Sequence, residues 1–495
     1  MARFYKPKKQ VQASLPRTLT NIKVERLSDD GRGIAKINTA TEFSSASASG
    51  QKRASSKSSK GKTVFIDGAL PEETVNATVF QHSNRYSEAY VTEIIKPSKQ
   101  RVQAKCKHYT RCGGCHVQHM SIEEQHRFKL GAILDQLKNW AQIEPEIVIP
   151  TLSSEQYRYR RRVRLGVDSR KSDGNKPLMG FRQNNSKQLI RVTECPVMVE
   201  SLESLIEPLQ MWLNTYVLSI THIELIDTDK TVGVVIRYAR SLSLDLRQQL
   251  QTILDPFDAI CWFQNEKNGD LESVEGVRVK PELRYGLSDS LHSQLLSVQP
   301  VSARRLTLNF HPQDFIQGNA NVNQLMVTQA IELMKPQAEE NILDLFCGVG
   351  NFSLPLSRLA KQVRGVEGVE NMVVTATDNA KRNHCDNTQF FKVDLSDWKA
   401  IVSSGMLSSS CDALILDPPR SGAKTLCEKI NKLMPKRIVY VSCDSATFAR
   451  DAQLLCGHSY ILSHLGLVDM FPQTSHSEVM GLFVHPSWKE VQDRL

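Results

Sequence analysis

Apolar and polar residues alternate with period two along two stretches near the start of the chain. TLTNIKVERL (18–27) leads through the turn SDDGRG into IAKI, and after a gap come TVFIDGALP (63–71), ETVNATVFQ (73–81) and EAYVTEIIK (88–96). Short alternating runs broken by Gly and Asp turns predict a small β-barrel over 14–97. Residues 40–62 are Ser, Ala and Lys with almost nothing to bury, which predicts a disordered insertion in a barrel loop. SIEEQHRFKLGAILDQLKNWA (121–141) has helical spacing, with Ser121 and Glu124 placed as a capping box. Residues 150–300 mix strand-like and helical stretches. From 301 onward the two alternate, with strands predicted at 340–346, 362–367, 389–393, 412–417, 437–441, 461–468 and 480–485. That alternation predicts a parallel sheet covered on both faces. The expected organisation is multidomain: a barrel at 14–97, a mixed α+β central domain at 98–300 and a Rossmann-like α/β domain at 301–495.

Composition adds limits. A chain of 495 residues suits about three domains. With 40% hydrophobic and 23% charged residues, wholesale disorder and small disulfide scaffolds are excluded. No apolar run of about 18 residues predicts a membrane span. The basic start MARFYKPKKQVQ has no apolar run behind it, so no secretory signal is expected. Eleven cysteines then point to reduced thiols and a cytoplasmic location. The net charge of +9 is uneven. Residues 1–120 hold 21 Lys and Arg against 9 Asp and Glu, while the remainder is slightly acidic. A basic front has the footprint of a nucleic-acid partner, the alternative being a solubilising tail. YRYRRRVR (157–164) adds five Arg and two Tyr, on which phosphates can pair and unpaired bases stack. On a strand, alternate residues share a face, so half of these would contact RNA; the competing reading is a solvated strand face.

Two clusters carry candidate chemistry. In ILDLFCGVGNFS (342–353) an apolar strand runs through Asp344 into a turn at Gly348 and Gly350. Glycines let a ligand approach the backbone, but G-x-G alone is weak. Glu367 ends the next strand, 19 residues after Gly348, placed to accept ribose hydroxyls, and Asp394 ends the third, facing an adenine amino group. One glycine loop, two strand-end acids and no second phosphate cradle fit S-adenosylmethionine. Separately, Cys106, Cys112 and Cys115 form C-x5-C-x2-C around Gly113 and Gly114, with Cys195 the best fourth ligand. Four thiolates suit zinc or a [4Fe-4S] cluster, and spacing does not choose.

LDLFCGVGNF resembles the first motif of S-adenosylmethionine-dependent methyltransferases in its RNA (uracil-C5) variant. The resemblance extends to FIQGNANVNQ (315–324), LDPPRSGA (416–423), VYVSCDSATFARD (439–451) and DMFPQTSHSEVM (469–480), and covers nearly the whole chain outside 40–62. Uracil C5 is a poor nucleophile until a thiolate adds to C6, so the chemistry needs an activated Cys and a base. Cys443 follows the apolar strand IVYVS at a carboxyl end, with a helix start behind it that would lower a thiol pKa. The resemblance makes it the nucleophile and Glu478, in HSEVM, the proton acceptor. It also makes Gln317, Phe346, Asn351, Glu367, Asp394 and Asp417 candidates for the cofactor pocket, although Asp394 stands where the family often has Asn. Arg420 in LDPPR replaces the stacking ring of amino-methyltransferases, which argues for uracil C5. A flipped base is implied.

The resemblance also implies that Cys106, Cys112, Cys115 and Cys195 carry a structural [4Fe-4S] cluster, and that SDDGRGIAKI belongs to a TRAM barrel. Barrel and cluster together resemble the 23S ribosomal RNA enzymes. The expected partner is 23S ribosomal RNA, with no DNA, no membrane and a monomeric state. The rival readings are a transfer RNA (uracil-C5)-methyltransferase and an inactive RNA-binding or ribosome-assembly protein.

Overall fold

A computed structural model describes residues 17–37, 61–173, 176–215, 219–267, 269–287, 305–406 and 410–488. The predicted insertion at 40–62 lies outside the described residues except for its last two. The chain divides into two compact units, Met1–Ala104 with His116–Glu124, and Lys105–Cys115 with Gln125–Leu495.

The first unit is a six-stranded sheet of β1 (Arg17–Lys23), β2 (Arg26–Leu27), β3 (Gly33–Ile37), β4 (Lys62–Asp67), β5 (Thr74–His82) and β6 (Tyr86–Lys96). Their order is β1-β5-β6-β4-β3-β2. The alternation read from sequence holds: Leu19, Ile22, Ala35, Ile37, Val64, Ile66, Val75 and Ala77 face one core. A Cβ on Gly33 would fall 2.8 Å from the Ala69 Cβ, which explains the glycine there. Arg32 is held internally, 3.0 Å from Glu88 and 4.8 Å over the Phe65 ring. Phe80 and Tyr90 are exposed and stack on each other at 6.3 Å.

The second unit holds two large sheets. One runs β10-β9-β8-β11-β12-β13-β14-β15, built from β8 (Arg162–Asp173), β9 (Lys176–Arg182), β10 (Leu189–Arg191), β11 (Ile220–Asp227), β12 (Val232–Tyr238), β13 (Ala259–Asn265), β14 (Leu271–Glu272) and β15 (Arg278–Val279). A hairpin of β16 (Leu283–Leu287) and β17 (Leu306–Phe310) follows. The other sheet comprises β18 (Asn341–Leu345), β19 (Gln362–Glu367), β20 (Thr388–Lys392), β21 (Ala413–Leu416), β22 (Arg437–Ser442), β23 (Ile461–Val468) and β24 (Glu478–Val484), close to the spans read from sequence. Its order is β20-β19-β18-β21-β22-β24-β23-β7. The strand β7 (Ile147–Val148), far earlier in the chain, pairs in parallel with β23. The helix Ile122–Gln136 is present, and its Ile133 joins the core under this sheet.

Strand order reverses about β18: β19 and β20 lie to one side, β21 and β22 to the other. Ligands of such sheets bind at the carboxyl ends of the strands beside this reversal. β24 runs antiparallel between β22 and β23 and closes that side.

Candidate active site

β18 delivers its carboxyl end into a loop that no ordinary residue run would form. Phe346, Gly348 and Gly350 all have positive φ, at 66°, 55° and 99°. A Cβ on Gly350 would lie 2.4 Å from Leu354 Cδ1. Asp344 is fully buried; one carboxylate oxygen accepts from Ser353 and the other has no hydrogen-bond partner among the described residues. Burial pushes its pKa up to about 7. Glu367 ends β19 and folds back onto the loop, accepting from the Gly348 N–H at 3.2 Å and from Gly368 N–H at 2.7 Å.

The other expected pocket residues are distributed less uniformly. Asn351 spends its amide on Asn323 (2.9 and 3.0 Å), and its oxygen also accepts from the Tyr285 hydroxyl at 3.1 Å. Asp394 is exposed and turned into a local loop, accepting from the Ser396 N–H and hydroxyl, which hold its pKa low. Phe346 packs against the core on one side of the sheet. Gln317 is buried and donates to Asp417 at 3.4 Å, while its backbone carbonyl accepts from Arg161 at 2.7 Å.

Cys443 and Glu478 are brought together by register. Ser442 pairs with Val479 in the antiparallel β22–β24 ladder, so the next residues outward are Cys443 and Glu478. Asp417, just past β21, stands at the same edge. Burial raises Asp417 to about 7, with the Asp344 charge adding to it. Burial likewise raises Glu478 to about 8, helped by Asp417 and Asp469 and opposed by Lys129.

The thiol departs from expectation. The helix Ser445–Gly457 does start behind Cys443, but Asp444 caps it, its side chain accepting from the Thr447 N–H at 2.9 Å. Burial dominates, and the Glu478 and Asp417 charges push the same way, so the Cys443 pKa rises to about 11; Arg420 and a backbone N–H pull it down less.

A polar cluster beneath this edge was invisible in the sequence. Lys129, 1% exposed, donates to Asp469 at 2.7 Å and to the Phe471 carbonyl at 3.1 Å, and His126 reaches Asp469 at 3.0 Å. A Lys within an amphipathic helix reads as solvent-facing, and its partner lies 340 residues away.

The arginine-rich word is mostly structural, a correction to its reading as an RNA-facing strand. Arg158 pairs with Glu203, Arg162 with Glu224, and Arg160 lies over Phe471. Arg161 is buried over Tyr285, and Tyr159 is buried with its hydroxyl on the Pro472 carbonyl. Arg164 stays exposed.

Cys106, Cys112, Cys115 and Cys195 are all partly buried. Gly113 donates to the Arg182 carbonyl and Gly114 to the Cys112 sulfur at 3.4 Å, which turns the loop. Cys115 and Cys106 both act electrostatically on Cys195, and Cys106 acts on Cys112. Among the described residues, no three His, Cys, Asp or Glu side chains gather tightly enough for a single metal ion. No helix among them is long and apolar enough to cross a membrane.

The family described as tRNA (Uracil-5-)-methyltransferase matches residues 119–486, and the TRAM domain matches 14–92. A relative in Shewanella sediminis named 23S rRNA (uracil(1939)-C(5))-methyltransferase RlmD is 38% identical over 485 residues, covering 98% of this chain and 99% of the relative. One of the same name in Pseudomonas putida is 35% identical, covering 93% and 92%. The solved Pyrococcus abyssi tRNA (uracil-54, C5)-methyltransferase, in complex with S-adenosyl-L-homocysteine, superposes with a TM-score of 0.64 at 21% identity, covering 93% of this chain and 99% of that one.

Proposed function

The chain belongs to the RNA (uracil-C5)-methyltransferase family, and on that basis we propose that it methylates C5 of one uridine in 23S ribosomal RNA, the substrate in its relatives' names. It is an S-adenosylmethionine-dependent RNA methyltransferase with a TRAM domain. The register that sets Cys443 beside Glu478 carries the reading.

The carboxyl edge of the sheet suits S-adenosylmethionine. Asp344 keeps a buried oxygen without a partner among the described residues, and two glycines bare the backbone. Gln317, Phe346, Glu367, Asp394 and Asp417 would line the pocket; Asn351, its amide already engaged, would hold the loop. When bound, the cofactor supplies an electrophilic methyl group on a cationic sulfur, whose charge also favours ionising Cys443 between two acids.

Cys443 would add its sulfur to C6 of a flipped uracil, forming an S–C6 bond and leaving electron density on C5 and O4. C5 would then take the methyl group, the methyl–sulfur bond breaking to leave a neutral thioether. Glu478, ionised, removes the C5 proton; the electron pair re-forms the C5–C6 double bond, the S–C6 bond breaks and the thiolate returns. Asp417 and Gln317 would hold the base and cofactor at that edge. The exposed Phe80 and Tyr90 offer a stacking surface on the RNA-binding barrel.

Cys106, Cys112, Cys115 and Cys195 would hold a [4Fe-4S] cluster with a structural role; the support is a set of four partly buried cysteines, three of them in one loop. Anaerobic purification and metal analysis test it, and one zinc with no iron would overturn it. A cytoplasmic, monomeric three-module protein completes the proposal.

The deciding experiment incubates the protein with S-adenosylmethionine and either 23S ribosomal RNA or transfer RNA, then locates 5-methyluridine by mass spectrometry. Product only in transfer RNA would replace the substrate; product in neither would favour an inactive assembly protein.

A further inference from the structure

Far from the catalytic edge, the second unit has a polar cavity of about 280 Å³ lined by Arg284, Arg305, Arg358, Arg382 and His384, with Thr307, Asn309 and Asn383. The β16–β17 hairpin builds one wall by alternation. Leu283, Tyr285, Leu306, Leu308 and Phe310 bury one face in the core. Arg284 pairs with Asn309 across the ladder, and Thr307 follows at the same period on the other face. The opposite wall is the carboxyl end of the helix Glu370–Arg382, whose neighbours Asn379 and Asn383 accept from the β17 backbone N–H groups of Asn309 and Thr307 at 2.8 and 2.9 Å.

That helix begins just past Glu367, at the catalytic edge, and runs 13 residues away from it. The cavity therefore lies about 20 Å along that helix from its start beside Glu367. Countering the helix dipole accounts for Arg382. It does not account for Arg284 and Arg305, which come from the hairpin. Asp229 balances Arg305 at 3.0 Å and Glu282 balances Arg382 at 3.1 Å. Among the described residues, Arg284 has neither an ion pair nor a hydrogen bond from its side chain, although it faces the cavity.

We propose that this cavity binds a backbone phosphate of the RNA substrate, a second contact remote from the catalytic edge; the inference rests on the RNA methyltransferase reading above. Guanidinium forks match phosphate oxygens in pairs. The lining has no Phe, Tyr or Trp on which bases would stack, so the contact is to backbone and independent of sequence. Only an RNA extending well beyond its target uridine can fill both places.

The test measures the salt dependence of binding for two RNAs, a short hairpin bearing the target uridine and a long 23S fragment. With Arg284→Ala, the slope of log Kd against log[salt] should fall by about one for the long RNA and stay the same for the hairpin. Arg284→Lys should restore it. An unchanged slope on the long RNA, or an equal fall on both, overturns the proposal. Inorganic phosphate should weaken wild-type binding of the long RNA more than chloride at equal ionic strength, and Arg284→Ala should remove that excess. If phosphate binds but the long-RNA slope does not depend on Arg284, the cavity takes free phosphate and the RNA contact is wrong. Methylation of the hairpin by the wild type separates the two failures. If the hairpin is methylated while the slope does not move, only the cavity proposal fails.

Discussion

Glu478 and Asp469 are both buried acids within ten residues of each other, yet their surroundings treat them oppositely. Asp469 is held by Lys129 and His126 and stays ionised, its pKa pulled below the usual range against burial. Glu478 meets mostly other acids, and burial pushes it to about 8. An acid that holds a fold is worth most when its charge is matched; one that moves a proton has to be able to change its charge near working pH. The contrast separates the working edge from its support.

Breaking the working side should cost most. Cys443→Ala should lower methyl transfer by about 10⁴-fold or more while RNA still binds, read as 5-methyluridine formed and as gel-shift affinity. Full activity would remove Cys443 from the mechanism. Glu478→Gln should slow turnover by about 10²–10⁴-fold and accumulate a covalent RNA–protein adduct that survives a denaturing gel. Absence of that adduct would take the proton-acceptor role from Glu478.

On the supporting side, Lys129→Met leaves the Asp469 charge buried with only His126. A loss of about 3–5 kcal/mol in unfolding free energy is expected. Adding Asp469→Asn should recover much of it; a double variant no better than the single would show that the pair is not coupled.

The smallest effect sharpens the comparison through pH. Glu478 is raised in the folded state, so its contribution to stability is complete below about pH 4.5 and is lost as pH rises towards 8. Asp469 is depressed, so its contribution is present above about pH 4 and lost as pH falls through its lower folded value. The thermal midpoint of the ligand-free protein should therefore fall between pH 6 and 8, and Glu478→Gln should flatten that slope. An unchanged slope would assign the titration elsewhere.

Much of this was legible before the fold. Seven of the eight strands of the last sheet are set by apolar runs, and the glycine loop and the Cys443 and Glu478 words are local in sequence. What escaped was non-local. β7 joins the sheet through a pairing between residues more than 300 apart. Lys129 looks like any polar helix residue until its partner is seen. The arginines of 157–164 looked like an RNA surface because composition does not record that Glu203 and Glu224 wait for them. The thiol's pKa was misjudged because a helix start is readable, while the burial that dominates it is not.

The position of β24 has a consequence for synthesis. It is the last described strand, yet it inserts between β22 and β23 and brings Glu478 with it. On the assignment above, a nascent chain acquires its nucleophile more than thirty residues before its base. A chain released between the two would lack both the base and the strand that joins β22 to β23.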